Sequence, residues 1–282
     1  MPGKTTALVL QGAAEVVEWA SEHPEQIERA GSWLKGLITT TPPFLVTGIK
    51  SAGKSVLWDF LTGAAYAEGY QPPDASASVD RGKLKGRGRD GSVPGVVVPG
   101  DPHSRARQDA LEAHLGPSKG GVSGVVHVVC DGLARPRSSD LAAHLEGRAP
   151  RLEDYVAGKR REELEDYDRI CHELEGYWRR HHRPFWLLIV CAKADLYQGR
   201  LSEVAERYCP GGSGAFAQRI DRLRGDIGRL NVNVDVAAVS CLAEDFRWAE
   251  ETISSRLDER ARRAYVANLR TKIFALTGAR EG

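Results

Sequence analysis

The residues best suited to chemistry are Gly48, Ile49, Lys50, Ser51, Ala52, Gly53, Lys54 and Ser55, which together read G-x-x-x-x-G-K-S. That spacing suits the capture of a phosphate. A chain that turns its backbone N–H groups inward around an anion needs glycine where a side chain would collide, and the lysine can then reach the outer phosphates. The Ser55 hydroxyl is placed to ligate Mg²⁺. Val56 continues a helix whose positive end faces the anion.

Both flanks suit this reading. Residues 44–47 are a short apolar run fit for a buried strand, and Val56, Leu57, Phe60 and Leu61 keep a helical rhythm after the loop. Further apolar runs recur at 93–98, 122–130, 185–191 and 232–239, separated by helical patterns. Strands alternating with helices predict an α/β fold, a mostly parallel sheet with helices on both faces. In such sheets the ligand sits beyond the carboxyl ends of the strands. The residues to read are therefore the phosphate loop, Pro99-Gly100-Asp101, Ala192-Lys193-Ala194-Asp195 and Ser240-Cys241-Leu242.

Composition narrows the class. The chain has 282 residues, a formal net charge of +1, and five cysteines with no C-x-x-C pair. The charge gives no global field for nucleic acid or membrane, and the scattered thiols predict a reduced, cytoplasmic protein without a disulfide frame or zinc site. No apolar run is long enough to span a bilayer, and the N-terminal stretch is too short for a signal peptide. Residues 1–40 are predicted as a helical extension, with Leu10, Ala13, Val17 and Ala20 on one face and Ile27, Ala30, Leu34 and Leu37 on another. These stripes are weak, and nothing else in the sequence supports membrane contact.

Residues 67–92 form a polar segment in which Arg81, Lys83, Lys85, Arg87 and Arg89 alternate with small or apolar residues, which places the charges on one face of an exposed strand. Asp101-Pro102 reads as a helix N-cap with proline in the first turn, and the helix is expected to run to Leu115. The chain between Asp131 and Phe185 is far longer than a crossover requires. Its insertion, 136–183, is expected to project as a helix toward a partner. Arg179, Arg180 and His181 close it, matching the dipole at its end. Residues 244–276 read as continuous helix through Phe246, Ala249, Ile253 and Leu257. The expected division is 1–40, 41–258 as the nucleotide-binding domain, and 259–282 as a C-terminal helix.

This set of strand ends resembles the translation-factor-related class of P-loop GTPases, nearest the Ras-like, Arf-like and signal-recognition-particle-receptor-β type, over residues 44–258. The resemblance implies GTP or GDP and Mg²⁺ as ligands. It implies a base reader in Ala192-Lys193-Ala194-Asp195, with Asp195 accepting from guanine and the stem of Lys193 covering the ring. Ser240, Cys241 and Leu242 resemble the turn that supports the base. By the same resemblance Lys54 and Asp101 are the catalytic candidates, and Ser55 with Ser78 (or Ser76) the metal ligands. Arg105 and Arg107 are candidate charge donors. Three departures stand out: Ala192 replaces an asparagine or threonine, Val97 replaces the magnesium-side aspartate, and Lys50 replaces a small residue near the outer phosphate. The implied function is a GTP-binding switch with slow hydrolysis and a protein effector or regulator. Two alternatives stay open: an ATPase using Asp131 as its magnesium-side aspartate, and a pseudo-GTPase scaffold.

Overall fold

The computed structural model describes residues 42–73, 78–86, 91–117, 121–136, 138–149 and 151–279. The expected extension at 1–40, Ser76, Arg87 and Arg89 lie outside the described residues.

Phe44–Thr47 (β1) is buried at every position and leads through the loop into Lys54–Thr62 (α1). Gly63, with φ 91°, ends that helix in the left-handed conformation that glycine adopts without strain. Asp80–Leu84 (β2), Val93–Val97 (β3), Arg105–Leu115 (α2), Gly124–Val129 (β4), Ser139–Arg148 (α3) and Leu152–His181 (α4) follow. Phe185–Cys191 (β5), Leu201–Tyr208 (α5), Ala215–Ile227 (α6) and Val232–Ala238 (β6) complete the alternation. A hairpin of Phe246–Trp248 (β7) and Glu251–Ile253 (β8) precedes Glu259–Thr277 (α7).

The main sheet has six strands in the order β2-β3-β1-β4-β5-β6. All its pairings are parallel except β2 with β3, so the α/β expectation holds. Alternate residues serve opposite faces. Phe44, Val46, Val126, Val128, Leu188 and Val190 meet α1 and α7, while Leu45, Val125, Val129, Leu187 and Ile189 meet α2, α4, α5 and α6. The edge strand β2 turns Arg81 and Lys83 outward and Leu84 inward, as the alternation predicts, and Lys85 just beyond it is exposed. All five cysteines are free thiols. Among the described residues no helix is long and apolar enough to cross a membrane.

Three expectations are corrected. The insertion does not project as a helix: α4 lies against the sheet and buries Tyr155, Tyr167, Ile170, Cys171, Leu174 and Tyr177. Its surplus length suggests projection, but its apolar rhythm, with Glu163, Asp166 and Glu175 buried among it, serves the core, and its basic end serves a neighbour. Arg180 donates to Leu115 O at 2.7 Å and the His181 ring lies 3.0 Å from Gly116 O, so both reach the carbonyl end of α2. The helix after β3 begins at Arg105 with Ser104 as its N-cap, not at Asp101. The Asp101 carboxylate instead accepts from His103 N–H at 2.9 Å, which closes a tight turn before the helix. Finally, residues 244–258 are not helix. Phe246 and Trp248 are buried on alternate positions of a strand, a period-two pattern that the apolar spacing had disguised as helical.

Tyr167 tests the packed role of α4. Its ring stacks on Phe216 at 4.1 Å and tilts onto His127 at 5.1 Å. Tyr167→Ala is expected to cost about 3–5 kcal/mol of unfolding free energy in urea titration, whereas a loss near zero would mean that the helix does not pack there.

Candidate functional site

The phosphate loop is held in shape by crowding. Gly48 has φ 133°, and a Cβ there would lie 2.3 Å from Val128 O, so no other residue fits that turn. Ser51 at φ 65° and Gly53 at φ 101° are also left-handed, and such alternation turns successive N–H groups toward one centre. Lys54 opens α1 and is 6% exposed. Its ammonium donates to Ile49 O at 2.9 Å, lying across the loop rather than out in solvent. Burial lowers its pKa to about 8, against a raising influence from Asp166 and a lowering one from Arg107. Lys50 is exposed on the outer side of the loop, and Ser55 follows Lys54 on the first turn of the helix, half-buried.

The turn after β3 rests on this loop. A Cβ on Gly100 would stand 2.5 Å from both Lys50 N and Lys54 Nζ. Asp101 next to it is exposed and bonded within its own turn. Nothing in that geometry directs it at a phosphate or a water. Ser78 is exposed ahead of β2. Of the two arginine candidates, Arg105 is a surface residue facing Asp109, while Arg107 is buried against Asp166.

A cavity of about 400 Å³ runs from the loop to the ends of β5 and β6. Ala52, Gly53 and Val56 line one end, and Lys193, Asp195, Cys241 and Leu242 line the other. The structure thus brings together, in one space, residues that the sequence separates by about half the chain or more. Asp195 is 1% exposed, and its Oδ1 accepts the Ser240 hydroxyl at 2.8 Å. Ser240 itself is fully buried, so its hydroxyl acts by fixing the carboxylate. Lys193 adopts φ 59° and donates to Leu133 O at 2.6 Å, which stretches its stem along the cavity wall. The ammonium also lies 5.9 Å over the Phe246 ring.

Several contributors had no sequence signal. The Tyr197 hydroxyl donates to Ala192 O at 2.6 Å, supporting the turn after β5 where Ala192 has no side-chain hydrogen bond to offer. Arg262 of α7 donates to Cys241 O at 2.9 Å and stacks 5.6 Å over Phe60, so it ties the turn after β6 to α1. Arg135, Pro136, Ser139 and Ala142 wall the cavity from the chain after β4.

Asp131 is not available for a magnesium ion. Arg160 takes both its oxygens, at 3.0 and 2.7 Å, and Arg207 also pairs with Oδ1. This is the carboxylate on which the ATPase alternative depends. Among the described residues no cluster of three His, Cys, Asp or Glu side chains forms a metal site. The donor set fits a magnesium ion bound through one hydroxyl, Ser55, with phosphate oxygens and water completing the shell. The left-handed loop, the two close approaches by glycine and the buried ammonium fit a polyphosphate.

No protein-family model matches this sequence, and no curated protein matches it by sequence. Its structure is similar to the signal recognition particle receptor SRb-GTP/SRX complex from Chaetomium thermophilum, at 16% identity and TM-score 0.43, covering 73% of this chain and 93% of that one. It is also similar to Toc33 from Arabidopsis thaliana, at 16% identity and TM-score 0.41, with 92% of both chains covered. The FeoB G-domain from Methanococcus jannaschii gives 16% identity and TM-score 0.37, covering 85% of this chain and 99% of that one.

The Lys54 environment sets a pH dependence. A bound polyphosphate stabilises the ammonium and raises its pKa above the value of about 8 in the free site. Affinity is therefore full below that value and falls as pH rises through it, by up to about tenfold per unit until the bound-state pKa is reached. Calorimetry from pH 7 to about 9.5 checks this, and a flat affinity profile contradicts it.

Proposed function

We propose that this protein is a guanine-nucleotide-binding switch with slow Mg²⁺-dependent GTP hydrolysis that a protein partner regulates. The observation that carries the reading is the continuous cavity from the phosphate loop to Asp195, with that carboxylate buried and oriented by Ser240. Guanine offers N1–H and an exocyclic amine to a carboxylate, and adenine has no equivalent pair of donors on that edge. Lys193 and the turn at 240–242 then border the ring, while residues 48–55 and the dipole of α1 hold the phosphates.

Phosphoryl transfer draws on positioning and charge neutralisation. Lys54 and the loop N–H groups serve both, and a magnesium ion bound through Ser55 would supply further neutralisation at the outer phosphates. A group that orients water is the weak point. Asp101 is bonded inside its own turn and Val97 stands where the resembling class has an aspartate, so little intrinsic acceleration is expected. A partner would supply the missing group. The free thiols suit a reducing, cytoplasmic setting. The nucleotide-binding unit is taken to begin near residue 41. The packing of Val266, Leu269, Ile273 and Phe274 on the core makes α7 part of it.

Removing the Asp195 carboxylate deletes a charged hydrogen-bond acceptor of about 1.5–3 kcal/mol, or roughly 10- to 150-fold in affinity. Asp195→Ala is therefore expected to lower GTP and GDP affinity by that factor in calorimetry and to leave ATP affinity within about threefold. Equal GTP binding by variant and wild type would refute the base-reading role.

A further inference from the structure

Asp166 is a buried acid that the phosphate and base sites do not explain. It sits on α4 with its side chain 2% exposed, and Oδ1 pairs with Arg107 Nη2 of α2. Its Oδ2 has no hydrogen-bond partner among the described residues. Burying an ion pair is costly, and an apolar pair of similar volume is often as stable or more so, so stability alone does not account for this one.

The pair reaches the phosphate loop in two steps. Arg107 Nη1 donates to Pro99 O at 3.1 Å, inside the turn that follows β3. The next residue, Gly100, approaches Lys50 N and Lys54 Nζ so closely that a Cβ would stand 2.5 Å from each. One guanidinium therefore joins α4 to the backbone turn that rests on the loop. Val97, on the strand just before that turn, brings no charge of its own. The anionic anchor arrives instead from α4, which packs beside α2.

We propose that Asp166 and Arg107 are positioning residues that hold the Pro99-Gly100 turn against the terminal phosphate of a bound triphosphate and link that phosphate to α4. This rests on the nucleotide reading above and adds a route by which the third phosphate is sensed. The loop N–H groups, Lys54 and the base turns serve a diphosphate and a triphosphate alike. The Gly100 turn stands against Lys50 N and Lys54 Nζ, and a lysine at that motif position reaches the outer phosphates, so on this reading only the longer ligand meets the turn. Loosening the turn therefore weakens the triphosphate selectively.

Two variants test this, chosen so that the Arg107 charge left without a carboxylate in the first is absent from the second. Asp166→Asn keeps a hydrogen-bonding group, and the double variant Arg107→Met with Asp166→Leu removes both charges and refills the space. Glu163→Gln is the control. It alters a buried acid on the same helix that accepts from Cys130 N–H and the Tyr208 hydroxyl, and whose hydrogen bonds among the described residues do not reach Arg107 or the Pro99-Gly100 turn. Affinities for GDP and a non-hydrolysable GTP analogue are measured for each, alongside the melting temperature. Both latch variants are expected to lose about tenfold in triphosphate affinity and to stay within about twofold for GDP, while Glu163→Gln keeps the wild-type ratio whatever its melting temperature. An unchanged ratio in the latch variants, or the same shift in Glu163→Gln, overturns the inference. If the wild type prefers adenine nucleotides, the base reading fails and the ratio is taken with ADP and an ATP analogue. A wild type that binds no triphosphate overturns both.

Discussion

The structure depends on one enclosed cation. The Lys54 ammonium is buried at the head of α1 with a backbone carbonyl as its hydrogen-bond acceptor, and that burial lowers its pKa to about 8. A charge kept from water needs an anion for compensation. Around it the loop turns its N–H groups inward, α1 points its positive end, and Gly100 closes in from the next strand. Each of these favours a negative ligand. They are compatible with one another only because β1 is the central strand between β3 and β4, which brings three strand ends to one point.

From that point the sheet distributes the work to its two faces. On one face α1 and α7 pack together, and Arg262 connects the C-terminal helix to the turn that borders the base cavity. On the other, α2 and α4 are fastened at both ends of α2: at its start through Arg107 and Asp166, and at its finish through Arg180 and His181. His127 lies between, bonded to Thr47 at 3.0 Å just before the loop. Burial together with Arg107 and Lys54 pushes its pKa down to about 3. Neutral at ordinary pH, it adds no further positive charge beneath the lysine.

Much of this was legible in the sequence because it is local. The loop spacing, the apolar strands and the residues just after each strand are read within a window of ten or so residues. The cavity confirms that Ala52, Gly53, Val56, Lys193, Asp195, Cys241 and Leu242 border one space. What was not legible depends on distant partners. Arg107 looks like any helix-surface arginine until Asp166 on another element buries it, and Asp131 looks available until Arg160 and Arg207 arrive. The length of chain between Asp131 and Phe185 suggests a projecting helix, but the buried face of α4, with Glu163, Asp166 and Glu175 set among its apolar residues, packs on the sheet and shows its partners only in three dimensions. At residues 246–257 the apolar spacing fits two periods, and the buried Phe246 and Trp248 decided for a strand.

The central claim is that a purine nucleotide lies with its phosphates on residues 48–55 and its base against Asp195. A crystal structure of the protein with Mg²⁺ and GDP tests it most directly. The expected result is diphosphate density within the loop, with the Asp195 carboxylate at hydrogen-bond distance, about 2.6–3.2 Å, from guanine N1 and its amine. Diphosphate bound elsewhere, or a base turned away from Asp195, would contradict it.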